Sequence, residues 1–194
     1  MKVKLSSLTL LGESAGSVVV EIDMPGADEP VRCKPAPFKK DGSKAMLVFE
    51  QTYDCTADSP ITLALVEALA TNEPADSEIH FVVFGFVEKD GSGEERAIGL
   101  ARLSLEGLLE AGKDAASVPL AIKGDNGNGS KVGELIVSVA AVQTMKEIKR
   151  ASMGEQPASA EGAALPNSSR RSDASAASGA SAAPGKPSSA TVRI

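Results

Sequence analysis

The stretch EIHFVVFGFV, residues 78–87, limits the possible folds more than any other part of the chain. It is apolar at nearly every position and far shorter than the roughly 20 residues that span a membrane. Its Val, Ile and Phe content favours a strand. A strand with apolar residues on both faces is expected at the centre of a sheet, covered on both sides. Further short runs surround it. SVVVEIDM alternates, with Val18, Val20 and Ile22 on one side and Glu21 and Asp23 on the other. AMLVFEQTY, AIGLARLSL and VGELIVSVAAV are further strand candidates, Leu135, Val137 and Val139 of the last aligning on one face, while VRCKP and SVPLAI carry less pattern. In the first run Val3 and Leu5 share one parity and Leu8 and Leu10 the other, so a β-bulge is expected at Ser6 and Ser7. Aromatic residues make up only 3% of the chain, with no Trp, so the core must be aliphatic. The expectation is all-β: a small antiparallel sandwich with short helical insertions.

Three insertions break the strand pattern. Ser59 can cap a helix with Pro60 in its first position, and Ile61, Leu65 and Leu69 then recur along one face. Ser104 can cap a second that carries Leu105, Leu108 and Leu109 and stops at Gly112. Thr144 and Glu147 have capping-box spacing for a third, carrying Met145 and Ile148. The composition changes near Ala151. Residues 1–150 read as one sandwich domain, and 151–194 as a low-complexity Ala/Ser/Gly/Pro tail, disordered alone or ordered by a partner.

Chemistry is sparse along this chain. The formal charge is -6, with 20 basic and 26 acidic residues, and no basic run offers a nucleic-acid surface. The single histidine, His80, sits in the most apolar strand, and no nucleophile–base pair, metalloprotease motif or phosphate loop accompanies it. The expectation is no catalysis, no cofactor and no small-molecule substrate. Cys33 and Cys55 lack metal-ligand spacing and are read as reduced and packed. The amino-terminal run is broken by serines, so it reads as a strand rather than a secretory signal, and no segment is long enough to span a membrane.

Two acidic loops, DMPGADEP and EKDGSGEE, allow an alternative. Calcium takes six to eight oxygen ligands, and Asp23, Asp28, Glu88, Asp90 and Glu94 are the candidates to supply them. Gly91 and Gly93 equally explain the second loop as a hairpin turn, the reading preferred here. A basic stretch, Arg32, Lys34, Lys39, Lys40 and Lys44, is broken by Pro35 and Pro37. It reads first as a solvated strand edge, and otherwise as a contact for anionic lipid or an acidic partner. Ser152 follows Lys149 and Arg150 at the spacing of a basophilic kinase site, where a phosphate would change docking of the tail.

The segments EIHFVVFGFV, AIGLARLSLEGLLEAGKD and VGELIVSVAAVQTM, in that order, resemble the C2-like domains of the retinitis pigmentosa GTPase regulator-interacting proteins. Gly99, Ala101, Leu103 and Leu105, then Gly133, Leu135, Val137 and Val139, match the two Gly-led strands of that pattern. The resemblance covers residues 1–150. It implies a C2-type sandwich without enzymatic activity, a scaffold in the cilium or flagellum that binds larger axonemal proteins. The long coiled coils of the family's larger members have no counterpart here. A calcium-dependent module for anionic phospholipid is the alternative function.

Overall fold

The structure, a computed structural model, describes residues 1–12, 16–39, 44–71, 74–89, 92–124 and 129–153, with the backbone alone at 74, 87–89 and 92–93. All of them fall in one unit, Met1–Ala158; the second, Ser159–Ile194, and with it nearly all of the low-complexity tail, lies outside the described residues.

Among the described residues nine strands form in chain order: β1 Lys2–Leu10, β2 Ser17–Asp23, β3 Val31–Arg32, β4 Ala36–Pro37, β5 Lys44–Thr52, β6 Glu78–Lys89, β7 Ser92–Ser104, β8 Ala115–Gly124 and β9 Lys131–Ala140. They pair antiparallel in the order β3-β2-β6-β7-β8-β9-β1-β5, with β4 beside β2. The weakest link is β7 to β8, which meet only at Gly99–Gly124 and Leu100–Lys123. There the curled sheet divides into two parts, one of five strands (β3, β2, β4, β6 and β7) and one of four (β8, β9, β1 and β5). One core gathers residues from both, among them Val3, Leu5, Leu135 and Val137 from one half and Val20, Ile22, Phe81 and Val83 from the other. The close meeting at β7 and β8 needs glycine, since a Cβ on Gly99 would lie 2.3 Å from the Lys123 carbonyl oxygen.

Local signals explain most elements. The β1 register shifts between Leu5 and Ser7 against both neighbours. This bulge lets Val3, Leu5, Leu8 and Leu10 all face inward despite their change of parity. Helix α1, Pro60–Thr71, starts where the Ser59 hydroxyl accepts the Thr62 N–H at 3.2 Å. Helix α2, Leu105–Ala111, has Ser104 as cap and ends at Gly112 in the left-handed region, φ 64°. VRCKP yields only the two residues of β3, whereas SVPLAI is the middle of the ten-residue β8.

Two expectations need correction. Helix α3, Val142–Ser152, buries Met145 and Ile148 but begins before Thr144, so no capping box forms. Instead the Asp114 carboxylate, in the α2–β8 connection, accepts the N–H groups of Ala141 and Val142 at 2.9 and 2.8 Å. An acceptor distant in sequence thus satisfies donors that the first turn leaves open. The second correction concerns β6. Ile79, Phe81 and Val83 are fully buried against the core, but Val82, Phe84 and Phe86 on the other face are only half-buried. No described layer covers that second face.

Candidate functional site

The acidic candidates do not gather at one point. Asp23 ends β2 opposite His80, and Asp28 lies exposed in the β2–β3 connection. Glu88 and Glu94 belong to the far end of the β6–β7 hairpin, where Glu88 pairs with Gly93 and Lys89 with Ser92. Asp90 and Gly91 lie outside the described residues. Ser17 faces Phe86 while Asp23 faces His80, so the two loops leave opposite ends of the β2–β6 pair, about 20 Å apart along the strands. Among the described residues no three His, Cys, Asp or Glu side chains are placed to hold a metal ion.

The basic candidates also part company. Arg32 on β3 donates to Glu21 at 2.6 Å and to Glu95 at 3.1 Å, and its guanidinium lies 4.7 Å from the centre of the Phe84 ring. Those two carboxylates raise its pKa further, and they leave little free charge for a lipid headgroup. Lys34, Lys39 and Lys44 are exposed, and the Lys39 N–H donates to the Lys44 carbonyl where Phe38 bridges to Ala45. This segment crosses from the edge of one half-sheet to the edge of the other. Lys40 lies outside the described residues. Ser152 is exposed at the last turn of α3, its hydroxyl donating to the Lys149 carbonyl at 2.8 Å. Cys33 and Cys55 carry free thiols; burial pushes the Cys33 thiol pKa up, and its sulfur accepts the Val20 N–H at 3.1 Å.

On the outer face of β2, β6 and β7, apolar side chains converge away from the core. Directly paired residues share a face, so the register places the side chains in rows. Asp23, His80 and Arg102 form the first; Glu21, Val82 and Leu100 the second; Val19, Phe84 and Ala97 the third; Ser17, Phe86 and Glu95 the fourth. The second row extends at both ends, to Arg32 on β3 and Lys123 on β8. The apolar members of the two middle rows, Val82 and Leu100 with Val19, Phe84 and Ala97, make an apolar floor together with Phe86, and charge stands around it. At its β8 side a groove of about 520 Å³ opens, lined by Val82, Phe84, Ala97, Leu100, Arg102 and Lys123 together with Gly99 and Gly124. Glu78 lies 3.5 Å from both Arg102 and His80, which ties that end of the floor together.

Lys123 and Arg102 belong to no catalytic or binding motif, and nothing in their sequence neighbourhood marks either as a site residue. The signal that leads to them is the two-sided apolarity of β6. The residues on its second face had to meet something, and the register shows which side chains border that meeting.

The chain was compared with known proteins. No curated protein matches it. Among solved structures it is similar to CC2D1B, titled as coordinating ESCRT-III activity during the mitotic reformation of the nuclear envelope. The identity is 10% and the TM-score 0.48, over 76% of this chain and 58% of that one. The chain thus spans a little over half the length of that structure. Among family models, the one described as retinitis pigmentosa G-protein regulator interacting C-terminal matches residues 2–151. That match takes in every described strand and nearly all of α3, and the chain belongs to this family of C2-like domains.

Proposed function

We propose that this protein is a non-catalytic interaction subunit of a ciliary or flagellar assembly, docking through its folded sandwich onto larger axonemal scaffold proteins. The observation that carries the reading is the family match over residues 2–151, a family whose described role is to interact with a protein. The half-buried apolar floor on β6 supports it, because such a patch on the solvent side of an antiparallel sheet marks a docking surface. In this reading residues 151–194 act as a tether, and Ser152 at its root is a place where a phosphate would alter docking.

Affinity purification of the tagged full chain from isolated cilia tests this reading. The expected result is one or more larger axonemal proteins recovered in fixed ratio with it. Recovery of the chain alone, or its absence from the ciliary fraction, would overturn the proposal.

A further inference from the structure

The groove on the outer face of β6 and β7 has a composition that selects its occupant. Its floor is apolar: Val82, Phe84, Ala97 and Leu100, each partly buried. The charged side chains that line it are both cations, Arg102 and Lys123. Lys123 is exposed and has no ion pair among the described residues, while Arg102 has one contact, at 3.5 Å to Glu78, and its side chain is 56% exposed. The acids nearest the floor on its other flank, Glu21 and Glu95, are both engaged by Arg32. An incoming carboxylate therefore meets unspent positive charge on the β8 side.

The groove also has a structural origin. Beyond the Leu100–Lys123 pair, β7 and β8 part, since β8 turns to pair with β9 along nearly its whole length. Its volume of about 520 Å³ lies within the range of sites that enclose several apolar groups. Apolar burial supplies the affinity at such a site, and complementary charge at the rim selects the partner.

We infer that this groove is the docking site for an acidic amphipathic segment of another protein, with apolar side chains seated on Val82, Phe84 and Leu100 and carboxylates against Arg102 and Lys123. The inference rests on the reading of the chain as an interaction subunit and names the surface and the partner's chemistry. The segment supplies the cover that the apolar pattern of β6 requires.

The test uses the full chain and two synthetic amphipathic peptides, one with glutamates flanking its leucines and a twin with lysines in their place. Amide resonances report where each one binds. The acidic peptide is expected to shift Val82, Phe84, Leu100 and Lys123, and to bind about tenfold more tightly than its twin. Leu100→Lys and Lys123→Glu are each expected to weaken it by about tenfold, with the melting transition retained because Lys123 is exposed and Leu100 lies on the outer face of the sheet, away from the core. Equal binding of the twin, shifts elsewhere on the domain, or indifference to both variants would overturn the inference. So would stronger shifts of the same resonances by phosphatidylserine vesicles, which would make the face a lipid site, or by dilution, which would make it a contact with a second copy. These outcomes are separate from the ciliary purification: a stoichiometric partner retained by Leu100→Lys would leave the interaction subunit standing and remove this groove from it.

Discussion

Tyr53 follows β5 into the core, where its hydroxyl is buried with no hydrogen-bond partner among the described residues and its pKa is pushed up to about 12, first by burial and then by the charge of Asp23. The unfolded chain releases the same proton near pH 10. Between those values the unfolded state binds fewer protons than the folded one, so stability falls as pH rises from about 10 to 12, by an amount on the order of 2–3 kcal/mol. Tyr53→Phe is expected to remove that slope and to be neutral or stabilising by about 1 kcal/mol at pH 7, because it discards an unsatisfied buried group. Urea titrations at several pH values check both parts. Asp114 is the opposite case, since its carboxylate satisfies two N–H groups at the start of α3. Asp114→Ala is expected to cost about 1–2 kcal/mol in the same assay, and Asp114→Asn to recover most of the loss. Neither residue stood out in the sequence. Asp114 acts 27 and 28 positions away, and a lone tyrosine gives no sign of where its hydroxyl will lie.

Elements whose determinants are local were legible. Ser59 and Pro60 set the start of α1, Ser104 and Gly112 bracket α2, and the change of parity after Leu5 marks the bulge. Those features depend on neighbours a few positions apart, so the pattern of residues suffices. The second face of β6 was legible only as apolarity, because periodicity reports what a strand offers and not what covers it. The acidic candidates fared as they did for the same reason: antiparallel pairing decides which loops share an end of the sandwich, and EKDGSGEE and DMPGADEP leave opposite ends. Edge strand β5 gives an element-level test. Met1 and Tyr53 exchange both backbone hydrogen bonds, at 3.0 and 2.8 Å, so by alternation Gln51 points its N–H toward β1 and Glu50 points away. Glu50→Pro is therefore expected to cost within about 1 kcal/mol, its exposed ion pair with Lys2 contributing little. Gln51→Pro, which removes a ladder hydrogen bond, is expected to cost about 3 kcal/mol or more by thermal melting.

The whole domain presents two distinct surfaces. The charged segment around Lys34, Lys39 and Lys44 links the edges of the two half-sheets, and the outer face of the β2–β6–β7 layer carries an apolar floor with cations beside it. A C2-like sandwich can serve calcium and lipid or can serve protein, and among the described residues no three acidic side chains are placed to hold a metal ion, while apolar ones converge on the outer face of β6. The family relation points to a protein partner as well. The most direct measurement is rebinding of the purified full chain to isolated axonemes and, in parallel, to phosphatidylserine vesicles, each with calcium and with a chelator. The account predicts saturable axoneme binding, indifferent to calcium, and no retention on vesicles. Calcium-dependent binding to the vesicles with none to axonemes would contradict it.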